Sequence, residues 1–179
     1  MKNILALLLF VPWVFMAQSD PDNFRFNSNS IATNYYSGNG KSGFLAGLDL
    51  SFQKGDHIFK VSAMAAAEVD ICIGDCLQDN VYSFDALYGR ELPIGRSMAL
   101  DIFAGVGYFH LKTANPDTRQ HNYVSEKTVG FPLQGRFRFR RGKIFNMGLQ
   151  LHANINGASS IIAIGPFFQW NFHPDRNSQ

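Results

Sequence analysis

Four groups of residues in this chain have the types from which chemistry is built: Gly38-Asn39-Gly40-Lys41-Ser42-Gly43, the pair Cys72 and Cys76, the acids Asp85, Glu91 and Asp101, and a histidine at His152. The glycine stretch matches Gly-x-Gly-x-x-Gly and contains Gly-Lys-Ser. A phosphate cradle of that kind needs a strand before it and a helix after it, whose N-terminus holds the anion. The longer phosphate-loop pattern also needs glycine at position 35, which is Tyr35, and a strand-like pattern follows instead of a helix. A flexible loop is the better reading. Cys72-Ile73-Gly74-Asp75-Cys76 reads as a small disulfide loop in an exported chain. Metal binding is the alternative, but no second cysteine pair or nearby histidine completes a tetrahedral set. The three acids could form a catalytic carboxylate pair. No cleft or sugar platform is expected around them, so ion pairing with Arg136 and Arg138 is preferred. No cofactor and no metal is expected.

The elements that carry these residues are more legible than the chemistry. Val129-Gly130-Phe131-Pro132-Leu133-Gln134-Gly135-Arg136-Phe137-Arg138-Phe139-Arg140 alternates at period two. A strand sends successive side chains to opposite faces, so this one is apolar on one face and cationic on the other. The same alternation predicts strands at about 42–53, 57–69, 81–92, 97–112, 144–156 and 160–172. A blurred first strand is expected at about 30–36, after an N-terminal segment over 18–29. Lys54-Gly55-Asp56, Pro93-Ile94-Gly95-Arg96 and Arg141-Gly142-Lys143 read as tight turns, and Asn156-Gly157 as a hairpin signal. Long polar loops are expected at 70–80 and 113–126, and a polar tail at 173–179.

Residues 1–17 read as a secretory leader. Lys2 supplies the positive end, and Ile4–Met16 is an apolar run too short for a comfortable membrane helix and broken by Pro12. Cleavage after Ala17 is expected. The formal net charge of +2 gives no reason to expect a nucleic-acid partner, and the 16 glycines and 17 phenylalanines suit twisted strands with aromatic girdles.

The polar faces of the strands carry Asp49, Lys60, Glu68, Asp85, Glu91, Asp101, Arg136, Arg138, Arg140 and His152; the apolar faces carry large aliphatic and aromatic side chains. An eight-stranded interior is only wide enough to be filled by side chains. Acids on the second, fourth and fifth strands could neutralise arginines on the sixth. Turning the barrel inside out would set those charges against hydrocarbon, at a cost of many kcal/mol. The expected fold class is therefore all-β: an eight-stranded antiparallel up-and-down transmembrane β-barrel over residues 30–172, with a side-chain-filled polar lumen. Short turns alternating with long loops put both termini in the periplasm and Cys72 and Cys76 outside. The short seventh connection obeys this rule only in part.

With its leader, strand pattern and final Gln169-Trp170-Asn171-Phe172, the chain resembles the small eight-stranded outer-membrane barrels of Gram-negative bacteria, the OmpA/OmpX-like group. The Met16-Ala17-Gln18 leader end is similar to leaders common in Bacteroidetes. The resemblance implies an outer-membrane monomer, in contact with membrane lipid and delivered by the barrel-insertion machinery. It implies a structural or surface-interaction role, with an extracellular ligand engaged through loops 70–80 and 113–126. In that family the terminal aromatic residue ends the chain, whereas seven residues follow Phe172 here. His152-Ala153-Asn154 also resembles the His-x-Ser-Asn motif of outer-membrane lipid A deacylases, which implies a lipid-modifying hydrolase as an alternative. Asn154 stands where the nucleophilic serine is required, so a hydrogen-bonded lumen histidine is the preferred reading. Narrow-channel or ligand-binding activity is a further alternative, and a soluble barrel with its polar face outward is the last.

Overall fold

The computed structural model describes residues 24–38, 41–68, 80–95, 97–114, 123–139 and 144–172. The leader, Cys72, Cys76, Arg140, most of the two long loops and the tail lie outside the described residues. Eight strands follow in chain order: β1 Arg25–Gly38, β2 Lys41–Lys54, β3 His57–Glu68, β4 Asn80–Ile94, β5 Met98–Ala114, β6 Tyr123–Phe139, β7 Phe145–Asn156 and β8 Ile161–Asn171. Each pairs antiparallel with its sequence neighbour, and β1 pairs with β8, closing the barrel. Closure leaves no edge with unpaired backbone groups, the condition for a sheet to stand in hydrocarbon.

The period-two pattern becomes two surfaces. On β2, Phe44, Leu48 and Leu50 are exposed while Leu45, Asp49 and Ser51 are buried. The same alternation runs through β1, where Ile31 and Tyr35 face out and Ala32, Asn34 and Tyr36 face in. The outer wall is thus a continuous belt of Phe, Leu, Ile and Val. Tyr35, Tyr82 and Tyr108 lie toward its loop end; Trp170, Phe145 and Phe139 lie toward its turn end. Trp170 and Phe145 meet edge to face at 5.5 Å, an amphipathic anchor of the kind found at membrane interfaces.

Tight turns end the strands at one rim. Gly55 and Gly95 adopt positive φ of 56° and 67°, the left-handed conformation that glycine enters without a Cβ penalty. At the other rim, β7 and β8 are joined over residues 157–160. Asn156 organises this connection. Its Oδ1 accepts from the Ala158 and Ser159 amides at 2.9 and 2.7 Å. The hairpin therefore rests on an asparagine side chain and not on a two-residue Asn-Gly turn.

Several boundaries differ from those predicted by sequence. β1 begins at Arg25, inside the expected N-terminal segment, because Phe26, Ser28 and Ser30 turn into the barrel while pairing continues against β2 and β8. The expected loop 113–126 is shorter at both ends, since β5 runs to Ala114 and β6 starts at Tyr123. There β5 and β6 form a ribbon that β7 joins only from Gly130 onward. Within that ladder, no β5 partner faces Pro132, whose ring nitrogen cannot donate a hydrogen bond. Asn80 belongs to β4 and not to the loop before it.

Candidate functional site

The lumen is where the chain concentrates its chemistry, and it is stratified. Nearest the turn rim lies an ionic layer. Arg136 on β6 is 1% exposed. Its Nη2 forms an ion pair with Asp49 on β2. Its Nη1 donates to Ser30 Oγ at 3.0 Å, and its Nε donates to Gln150 Oε1 at 2.7 Å. Ser30 Oγ in turn donates to Asp49 Oδ2 at 3.0 Å. The guanidinium also stacks over Phe167, 4.6 Å from the ring centroid. One side chain from β6 thereby ties together β1, β2, β7 and β8.

Two residues further along β6, Arg138 pairs with Glu91 on β4 and with Asp101 on β5, the latter at 3.1 Å. Glu91 and Asp101 are direct cross-strand partners. Without the arginine between them two like charges would face each other, which is destabilising. Lys60 on β3 donates to Gln134 Oε1 at 2.6 Å and lies 3.6 Å from the centre of the Phe103 ring. A cation over an aromatic face recovers part of what desolvation takes away.

Above this layer, toward the loops, neutral polar groups dominate. On their strands they stand loopward of the residues of the ionic layer: Asn34 beyond Ser30 and Ala32, Ser62 beyond Lys60, Gln134 before Arg136 and His152 beyond Gln150. Both ring nitrogens of His152 and both amide atoms of Asn34 have no protein hydrogen-bond partner among the described residues. Asp85 lies in the same zone. Its Oδ2 accepts from Ser83 at 3.2 Å, and its Oδ1 has no such partner. The expectation that Asp85 pairs with Arg136 or Arg138 is thus corrected. Asp49, Glu91 and Asp101 hold those arginines, and the register leaves Asp85 beside Ser62 and Gly107. Glu68 ends β3 opposite Gly43.

The third layer is apolar. Tyr36, Leu45, Met64, Ala66, Val81, Phe109, Ile161 and Ala163 pack together inside the loop end of the barrel. This cap is a feature that sequence reasoning missed. Its signal was present in Leu45 and Phe109, apolar residues standing on otherwise polar faces. Arg136, Lys60, Phe109, Phe167, Leu45, His152 and Gln150 are among the largest fully buried side chains. A cavity of about 10 Å³ near Lys60, Asp101 and Arg138 has room for about one water molecule.

His152 is fully buried and faces the lumen, not the lipid. No serine among the described residues forms a hydrogen bond with either ring nitrogen. The arrangement needed to activate a nucleophile is not formed by the described residues.

No family model and no curated protein matches the chain. Solved structures do match in fold. Neisserial surface protein A superposes with a TM-score of 0.65 at 9% identity, over 83% of this chain and 97% of that one. Ail, the attachment invasion locus protein of Yersinia pestis, gives 0.57 at 10% identity, over 84% and 98%. The N-terminal β-barrel domain of Pseudomonas aeruginosa OprF gives 0.55 at 16% identity, over 82% and 98%. At these identities the likeness is one of fold: a small closed barrel that accounts for nearly the whole of each matched structure.

Proposed function

We propose that this chain is an outer-membrane β-barrel of the OmpA/OmpX-like kind, exported through a leader cleaved after Ala17 and inserted as a monomer, with a structural or surface-interaction role and no catalytic one. One observation carries this reading: polarity is inverted relative to a soluble barrel. Large apolar side chains such as Leu48, Val106 and Ile164 face outward on the strands, while Arg136, Lys60 and Asp49 are buried inside. Lipid is the solvent that satisfies such a wall.

The filled lumen speaks against bulk transport. An apolar cap at the loop end and a paired ionic layer beneath it leave no space for a hydrated solute. Contact with the exterior then falls to the loop rim. The β5–β6 ribbon is its most prominent described part, presenting Lys112, Ser125, Glu126 and Lys127 at or near the surface. Loops 70–80 and 113–126 are the segments through which an extracellular ligand would be engaged.

Fractionation of cells expressing the full chain, with boiled and unboiled samples compared on a gel, tests this reading. Recovery in the outer membrane together with faster migration of the unboiled sample is expected. A periplasmic product without that shift would overturn it. Reconstitution in a planar bilayer is expected to give no sustained conductance, and stable open steps would show that the lumen layers are not a plug.

A further inference from the structure

At the turn end of the outer wall, one outward step beyond the paired Phe59 and Tyr88, stands an exposed arginine, Arg90 on β4. The outward positions Phe44–Phe52, Phe59–Ala67, Met98–Tyr108, Val129–Phe139, Phe145–Ile155 and Ile162–Trp170 are free of Asp, Glu, Lys and Arg. Arg90 stands among Tyr88, Leu92 and, across the ladder, Ile102. It also stands beside His57. His57 Nδ1 lies 2.6 Å from the Tyr88 hydroxyl, and Arg90 Nη2 lies 3.5 Å from His57 Nε2. With Nδ1 protonated, His57 donates to Tyr88 and accepts from Arg90. Lys54 is the β2 partner of His57. A row of cationic or cation-capable groups thus crosses β2, β3 and β4 at the turn end, and no carboxylate among the described residues forms an ion pair with Arg90.

A groove of about 270 Å³ opens beside this row, lined by Tyr88, Arg90, Leu92, Ile102, Phe103 and Ala104. It exists because Ala104 is small where its cross-strand partner Tyr88 is large. Its walls are almost wholly apolar, and Arg90 stands at its margin with its guanidinium against His57. A guanidinium fork matches the geometry of a phosphate. An uncompensated arginine on a lipid-facing wall is expensive, and a long side chain reaching toward the headgroup level reduces that expense.

From these observations we infer that Arg90 and the groove over Ala104 form a binding site for a glycerophospholipid of the turn-end leaflet, its phosphodiester on the Arg90 guanidinium and an acyl chain along Leu92, Ile102 and Ala104. The inference rests on the membrane-barrel reading. Neither half of the site explains the other half alone. A soluble anion has no use for the apolar groove, and a bare hydrocarbon chain has no use for the arginine.

Native mass spectrometry of the full chain, refolded in the phosphate-free uncharged detergent dodecyl maltoside, tests the site. The probes are phosphatidylglycerol, phosphatidylethanolamine, diacylglycerol and inorganic phosphate. Retention of one phospholipid per barrel is expected for both phospholipids, and retention of neither diacylglycerol nor inorganic phosphate. Arg90→Leu is expected to weaken retention at least tenfold. Ala104→Phe, which fills the groove and leaves the guanidinium intact, is expected to do the same. Equal retention by Arg90→Leu and the parent chain would overturn the inference. So would binding of diacylglycerol as tight as that of phospholipid, or binding of inorganic phosphate alone. Faster migration of each unboiled variant on a gel shows that the barrel has formed. Its loss in the parent chain would count against the membrane reading, whereas its presence without lipid retention would count against this site alone.

Discussion

Asp49 on β2 and Arg136 on β6 form an ion pair across the lumen, between strands that share no ladder hydrogen bond. Backbone pairing fixes each strand only to its neighbours. A contact of this kind is what reports that the whole sheet has curled to the intended diameter. Both groups are almost wholly removed from solvent, so each depends on the other. Removing one partner of a buried pair leaves an uncompensated charge and typically destabilises by about 3–5 kcal/mol. Arg136→Met is therefore expected to destabilise by an amount in that range, measured by urea unfolding in lipid vesicles. Asp49→Leu combined with Arg136→Met is expected to recover most of the loss, because the apolar double replacement leaves no buried charge of the pair behind. Additive losses in the double variant would show that the two residues do not act as a pair.

Arg138 serves a different purpose, since it separates two acids. Glu91 and Asp101 face each other across β4 and β5, and the guanidinium bridges them. Glu91 is 23% exposed on its side chain whereas Asp101 is buried. Water screens the more exposed partner, so Glu91→Gln is expected to lower stability by no more than about 1 kcal/mol. Arg138→Met, which leaves both acids unpaired and opposed, is expected to lower it by roughly 3 kcal/mol or more. Adding Asp101→Asn to Arg138→Met should restore part of that loss. The same vesicle unfolding measurement reads all three, and a Glu91→Gln effect as large as that of Arg138→Met would contradict this division of roles.

His152 and Gln150 are two residues apart on β7, and both face the lumen with almost no exposure. Their contributions are expected to differ. Gln150 Oε1 accepts from the Arg136 Nε–H at 2.7 Å, and hydrogen bonds to charged groups contribute about 1.5–3 kcal/mol. Gln150→Leu should therefore be destabilising by an amount in that range. Among the described residues His152 has no hydrogen-bond partner for either ring nitrogen, so His152→Leu removes no such bond and withdraws a polar ring from a buried site. Its unfolding free energy is expected to stay within about 1 kcal/mol of the parent or to rise. A large loss on His152→Leu would mean that the imidazole has a task the lumen contacts do not reveal.

Period-two alternation made the strands and their two faces legible in advance, because lipid on one side and a narrow interior on the other impose opposite demands on successive residues. Where those demands lapse, so did the signal. The start of β1 at Arg25, and not near Ser30, was hidden because Asn27, Ser28, Asn29 and Ser30 are polar on both faces near the rim. The start of β6 at Tyr123 was hidden for a related reason: the β5–β6 ribbon stands where β7 does not join it, and four consecutive residues from Val124 to Lys127 are all exposed. The partners within the lumen were less legible still. Asp85 and Asp49 look alike in sequence, each an acid on a polar face. Which one meets Arg136 depends on how far the register slips from strand to strand around the closed sheet, and that slip is set by eight pairings together. The apolar cap was obscured because Leu45 and Phe109 read as lapses in the alternation when each strand is taken alone. Only closure brings them together.

Depth on the outer wall gives the sharpest test of what surrounds this barrel. Leu48 and Val129 are alike in a vacuum: both outward, both aliphatic, exposed by 60% and 62%. They differ in height. Leu48 lies in the middle of β2, whereas Val129 lies toward the loop end beside Tyr108. Arginine on the lipid face of such a barrel costs about 2–4 kcal/mol at the midplane and about 0–1 near the interfaces. Leu48→Arg is therefore expected to be the more destabilising by roughly 2–3 kcal/mol when the chain unfolds from lipid vesicles. In water the ranking has no reason to exist, since an exposed leucine and an exposed valine are equally free to become arginine. Equal stability of the two variants would mean that the belt does not sit in hydrocarbon, and the inverted polarity of the barrel would then need another solvent to explain it.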